Sequence, residues 1–208
     1  MNIAIIDYRS GNLHSALKSF QAVASNFKNA NVKITSCYKD VQAADKVVLP
    51  GVGSFSFCKS KLHENTDVYN SLIDMVIEKK KPFLGICVGM QLLATTGNEG
   101  QSNNQGLDWI CGEVKKIDVE QNFKIPHMGW NYVEKTSSNS LFNLDNQRYY
   151  FAHSYYANLD NKENISYQTE YINKFPSIVE NNNIIGFQFH PEKSHNFGKQ
   201  ILNQFVNL

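Results

Sequence analysis

A cysteine flanked by glycines at minus two and plus two, between an apolar strand and a helix, constrains this chain more than any other stretch. The run is Gly85, Ile86, Cys87, Val88, Gly89. It reads as a nucleophile elbow, a strand-to-helix turn that holds the reactive side chain in a strained conformation; larger flanking residues would collide with the neighbouring strand and helix. Pro82, Phe83, Leu84 and Ile86 supply the strand, and Met90, Leu92, Leu93 and Ala94 the helix. From the pentapeptide alone, a buried core cysteine with incidental glycines stays open.

The 208 residues suit one α/β domain, able to bury a core without disulfides. The sequence predicts a single domain over 1–208. Twenty Lys and Arg against nineteen Asp and Glu leave a net charge of +1, which argues against a nucleic-acid surface. Cys37, Cys58, Cys87 and Cys111 form no CxxC pair, so neither a zinc site nor a disulfide scaffold is expected, and reduced cytoplasmic thiols are the simplest reading. No apolar run approaches a membrane-spanning length.

In the first half, β-rich runs at Ile3 to Ile6, Val32 to Thr35, Lys46 to Leu49 and Pro82 to Ile86 alternate with helical patterns. The helices carry Leu13, Ala16, Leu17, Phe20, Ala24 and Phe27, and then Val68, Leu72, Met75 and Val76. This predicts a mostly parallel central sheet with helices on both faces, flavodoxin-like, and ligands at the carboxyl ends of its strands. Thr96 to Gly106 reads as an exposed loop. Beyond it the chain becomes strand-rich, through Glu113 to Ile117, Asn131 to Glu134, Tyr149 to Ala152, Ile165 to Tyr171, Ser177 to Glu180 and Ile184 to Phe189. A helix through Phe197, Ile201, Leu202 and Phe205 closes it.

A thiol at a helix start meets the positive end of the helix dipole and unpaired N–H groups, as Cys87 would. The N–H of Val88 is the natural first donor of an oxyanion hole. Pro50, Gly51, Val52 and Gly53 follow the strand at Val47 to Leu49 and are the candidate second donor, although as a tetrapeptide they also suit an ordinary turn. His190, Pro191 and Glu192 lie just past a strand end and supply a base and its orienter; two residues apart in an extended segment, the outer side chains point the same way. Taken singly, His190 could be an ordinary histidine. His14, His63, His127, His153 and His195 show no metal-ligand pattern, and neither GxxxxGK[ST] nor a GxGxxG after the first strand is present. No metal and no cofactor are expected.

A Cys elbow, a Pro-Gly-x-Gly strand end and a His-Pro-Glu triplet, in this order, resemble the triad (class I) glutamine amidotransferases over nearly the whole chain. Within that group DYRSGNLHS (7–15), LGICVGMQ (84–91), KIPHMGWN (124–131), YFAHSYY (150–156) and GFQFHPEKS (186–194) are similar to the glutaminase subunits of imidazole glycerol phosphate synthases. The resemblance implies that Cys87 attacks the side-chain amide of glutamine, that His190 moves the protons and that Glu192 orients His190. It also implies an oxyanion hole at Val52 and Val88, and glutamine contacts at Gly51, Gly53, Gln91, Ser154 and Tyr155. Its implied partner is a (β/α)8 cyclase subunit in a heterodimer, which receives ammonia through a channel and makes imidazole glycerol phosphate and aminoimidazole carboxamide ribotide. Met128, Gly129 and Trp130, in an expected loop, and Lys193 are the matching interface candidates.

Three alternatives stay open on the sequence. One is a paralogous glutaminase supplying ammonia to a surface-polysaccharide sugar amidotransferase, another is a different cysteine hydrolase or peptidase, and the last is a catalytically silent binding subunit. The glycines around Val52 further predict a poor glutaminase in isolation, because that peptide must rotate to present its N–H.

Overall fold

The alternation of the first half builds a parallel sheet in the computed structural model, which describes residues 1–100, 104–118, 123–144 and 146–208. Strands β1 (Asn2–Ile6), β2 (Asn31–Thr35), β3 (Lys46–Gly51) and β4 (Phe83–Cys87) run parallel in the order β2-β1-β3-β4. β3 and β4 are buried at every residue. Helices cover both sides of the sheet, so these strands read as unbroken apolar runs. The sheet continues through Ile184–Phe187, parallel to β4, and then turns antiparallel through Asn173–Asn181, Ile165–Tyr171 and Glu134–Lys135.

Two smaller sheets flank the strand ends. His127–Tyr132 pairs antiparallel with Arg148–His153, and Gly112–Lys116 lies between Tyr155–Leu159 and Thr96–Gly97, which itself pairs with Asn104–Gln105. Helix α1 (Leu13–Ala24) lies against the closing helix His195–Val206, where the rings of Phe20 and Phe205 meet edge to face at 6.1 Å. Both rings are fully buried, and each contributes about 1.5–3 kcal/mol of hydrophobic stabilisation.

Several expectations shift for local reasons. α1 ends before Phe27, because the Ser25 hydroxyl turns back onto the Ala22 carbonyl and Phe27 closes a tight turn on Ala24. The elbow helix is a single turn, Val88–Gln91, where the sequence predicts one reaching Ala94. The carbonyls of Leu92, Leu93 and Ala94 are taken instead by N–H groups of Leu107, Trp109 and Asp108, so a crossing segment replaces the next helical turn.

Thr96 to Gly106 is more than an exposed loop. Thr96–Gly97 joins a sheet, with Gly97 pressed on the Phe55 ring, and Glu99 is drawn inward, accepting the Phe55 N–H at 2.9 Å; positions 101–103 lie outside the described residues. Met128, Gly129 and Trp130 belong to a strand, not a loop. Their partners are Ala152, Phe151 and Tyr150, and the pleat leaves Met128, Trp130 and Tyr132 exposed on one side.

Candidate active site

Cys87 ends β4 with φ 55° and ψ −110°, a left-handed conformation that a non-glycine residue adopts only under constraint. The constraint is steric. A Cβ on Gly89 would overlap the Leu49 carbonyl oxygen of β3, and one on Gly85 would lie 2.5 Å from the Gly89 carbonyl oxygen, so the glycines let strand and helix close around the cysteine. Gly51 is the partner of Cys87 in the parallel β3–β4 register, which sets Val52 beside Val88 at adjacent strand ends. Val88 opens the short helix, where first-turn N–H groups lack intrahelical acceptors.

His190 follows the strand Ile184–Phe187 and is anchored through its backbone, its N–H on the Tyr150 carbonyl at 2.8 Å and its carbonyl accepting the Ser194 hydroxyl at 2.6 Å. Glu192 does not reach it along an extended segment. Pro191 opens a 3-10 turn, Pro191–Lys193, that curls the carboxylate back onto the imidazole, giving Nδ1···Oε1 at 2.9 Å with both side chains 4% exposed. Nε2 is left for Cys87, whose sulfur interacts with the imidazole. Burial alone would lower the His190 pKa, but the charge and hydrogen bond of the Cys87 sulfur, reinforced by Glu192, outweigh it and push the pKa up to about 10. The imidazole thus sits between two acidic groups that favour its charged form.

A pocket of about 340 Å3 opens over this cluster. Its lining brings together Val52, Gly53, Cys87, Val88, Gln91, Ser154, Tyr155 and His190, with Met128 and Lys193 at the same opening. Gly51 and Glu192 stand behind it rather than in its wall, and Trp130 lies farther along the exposed strand, stacked on His195 with ring centroids 5.3 Å apart. Lys193 carries its ammonium over the Tyr150 ring.

The Val52 N–H, the second oxyanion donor expected from the sequence, is already occupied. Its N–H donates to the Ser10 hydroxyl at 3.1 Å, and the same hydroxyl donates to the Val52 carbonyl at 2.6 Å, with the Cys58 sulfur 3.2 Å behind. One side chain therefore fixes both peptide planes around Val52.

Sequence reasoning missed two residues here. Glu99, half-buried in the pocket wall, has its pKa raised by burial, against the Phe55 N–H bond that lowers it. Only its distance from the Cys87, His190 and Glu192 motifs hid it, since nothing in a polar, Asn- and Gly-rich stretch marks one carboxylate out. Gln188 is fully buried with its amide nitrogen 3.9 Å from the Cys87 sulfur and its oxygen accepting Gln91 Nε2 at 3.1 Å. A buried glutamine in an apolar strand was the available signal. Gln91 also donates to the Tyr155 carbonyl at 2.8 Å, while its own Oε1 has no hydrogen-bond partner among the described residues. No group of three His, Cys, Asp or Glu able to hold a metal occurs among the described residues.

A strained nucleophile, a buried imidazole and its carboxylate on an α/β sheet define a class of amide-cleaving enzymes, and the sequence comparisons give its family. The profile described as "Glutamine amidotransferase class-I" matches residues 4–208. The chain is 42% identical over 211 residues to the imidazole glycerol phosphate synthase subunit HisH of Pelagibacter ubique, covering all of both chains. It is 41% identical to HisH 2 of Methanococcus maripaludis, covering 98% of each, and 43% identical to HisH 1 of Campylobacter jejuni, covering 99% of this chain and all of that one. A glutamine amidotransferase structure from Thermotoga maritima superposes with a TM-score of 0.67 at 20% identity, over all of this chain and 83% of the other. The likeness in that structure is one of fold. This chain belongs to the class-I glutamine amidotransferases and, within them, to the HisH family.

Proposed function

We propose that the chain is the glutaminase subunit of an imidazole glycerol phosphate synthase in histidine biosynthesis, working as one glutamine amidotransferase domain over 1–208. The observation that carries the reading is the buried Cys87–His190–Glu192 cluster at the floor of a pocket lined by backbone and amide groups. The Cys87 sulfur attacks the side-chain carbonyl carbon of glutamine, and the C–N bond breaks as His190 delivers a proton to the departing nitrogen. Ammonia leaves and a glutamyl thioester remains. Water, losing its proton to His190, then attacks the thioester, and glutamate departs as the C–S bond breaks. Glu192 holds Nδ1 and stabilises the imidazolium throughout.

The N–H of Val88 and, after rotation of its peptide, that of Val52 receive the oxyanion. Gln91 and the Glu99 carboxylate are suited to the ammonium end of glutamine, and the backbone of Gly53, Ser154 and Tyr155 to the rest, while Gly51, behind the wall, carries the Val52 peptide instead of touching glutamine. A cyclase subunit in a cytoplasmic heterodimer takes up the ammonia. Water would protonate it to ammonium, so a dry passage has a chemical rationale. Met128, 64% exposed at the pocket opening, with Trp130 and Lys193, is where that subunit would dock. No helix among the described residues is long and apolar enough to cross a membrane.

The test is glutamate release by the chain mixed with its cyclase subunit. Turnover stimulated by the cyclase's ligand, and abolished in Cys87→Ala, is expected; no association between the chains would refute the assignment.

A further inference from the structure

An unbroken row of polar contacts runs from the exposed strand into the pocket wall. It starts at Asn131 on the strand that exposes Met128 and Trp130, where Nδ2 lies 3.3 Å from His127 Nε2. His127 Nδ1 is 3.1 Å from His153 Nε2, and His153 Nδ1 is 2.8 Å from the Tyr155 carbonyl oxygen. Gln91 Nε2 donates to that same carbonyl and to Gln188 Oε1, and Gln188 approaches the Cys87 sulfur.

The tautomers follow from the acceptor at one end. A carbonyl only accepts, so His153 carries its proton on Nδ1 and offers a bare Nε2; His127 must then donate from Nδ1 and accept on Nε2 from the Asn131 amide. The two rings form a one-way pair. Both are buried, and His127 is clamped between the rings of Phe151 and Tyr171, 4.9 and 4.1 Å away. Burial pushes His127 down to about 4, and burial, with charge on His127 and on His190 beside it, pushes His153 down to about 3; its bond to the Tyr155 carbonyl only partly opposes this. Two cations cannot share this space, and two neutral rings in any other tautomer would leave the Tyr155 carbonyl facing a lone pair or set the two facing ring nitrogens lone pair to lone pair.

We propose that His127 and His153 are positioning residues of the glutamine site, fixing the Tyr155 carbonyl and, through Gln91 and Gln188, the floor beside Cys87. The assignment rests on the glutaminase reading. His127 does not line the pocket. Its influence therefore passes through the proton it gives His153.

The test uses the shapes of two amides. Asparagine at 127 puts an amide nitrogen where Nδ1 stands, keeping the donor to His153; glutamine puts its amide where Nε2 stands and loses that donor. Glutamate release by the complex with the cyclase subunit is expected to stay within about threefold of wild type in His127→Asn and to fall about tenfold in His127→Gln, the scale of one lost hydrogen bond. A space-filling role predicts the reverse order, because glutamine is nearer histidine in volume. Equal or better activity in His127→Gln overturns the proposal. Nitrogen-15 spectra of the histidine-labelled chain give a readout independent of turnover. Nδ1-protonated rings at both positions, unchanged from pH 5 to 9, are expected, and an Nε2 proton on either ring refutes the one-way pair. Absent glutamine hydrolysis by the wild-type complex would remove the glutaminase reading and with it the positioning role, even where the spectra hold.

Discussion

Replacing Ser10 by alanine tests whether its hydroxyl keeps the site quiet. The hydroxyl makes two hydrogen bonds to Val52, one to the N–H that would otherwise serve the oxyanion and one to the next carbonyl, at 3.1 and 2.6 Å. At a net 0.5–1.5 kcal/mol each, the pair favours the resting peptide by about 1–3 kcal/mol, a population ratio of about 5 to 150. If turnover without the cyclase is limited by how rarely the Val52 N–H faces the pocket, Ser10→Ala should raise kcat of the isolated chain by about 5- to 100-fold. KM for glutamine should barely move, since the rotated peptide acts on the oxyanion rather than on bound glutamine. Stimulation by the cyclase ligand should shrink by the same factor. Ser10→Thr keeps the hydroxyl and should keep the low basal rate. The assay is coupled detection of glutamate with and without the cyclase, alongside thermal unfolding to verify that the alanine variant folds. A folded Ser10→Ala chain with unchanged or lower basal kcat would refute the latch.

Gly89→Ala forces a methyl against the Leu49 carbonyl oxygen, so about 1–3 kcal/mol of destabilisation is expected, read as a melting temperature lower by about 2–12 °C. Glu99→Gln, by removing the half-buried charge from the pocket wall, should raise KM for glutamine about tenfold with kcat little changed, checked by steady-state kinetics. Met128→Glu should weaken cyclase association about 10- to 100-fold in a titration while leaving the melting temperature of the free chain in place. The His190 pKa, raised from an unfolded value near 6.5 to about 10, gives stability that is complete below pH 6.5 and lost as the pH climbs towards 10. Chemical unfolding of wild type and His190→Gln should therefore differ most at pH 6 and converge by pH 10. A constant difference would count against the ion pair.

Where a role depends on what is near in the chain, this sequence discloses it; where it depends on a crossing of distant segments, it does not. The elbow is legible because Gly85 and Gly89 sit within two residues of the cysteine whose strain they permit, and His190 and Glu192 because one turn joins them. That turn is a 3-10 turn, not the extended pleat that the spacing predicts, and it brings the carboxylate round. Glu99 enters the pocket only because the Phe55 N–H draws it there, a contact across 44 positions, and Ser10 meets Val52 across 42. Neither side chain has a local pattern to betray it. His127 and His153 lie between these cases: each is a histidine next to aromatic residues in the chain, and only the pairing of their two strands turns that proximity into a shared proton direction. The two strands bring the exposed Met128 and Trp130 and the His127–His153 pair onto opposite faces of the same ribbon, since Met128 and Trp130 alternate with His127 along one strand. A partner docking on Met128 and Trp130, as proposed, would bear on the backbone that carries His127 and on the pocket that Met128 itself lines, across from the Val52 peptide that Ser10 holds.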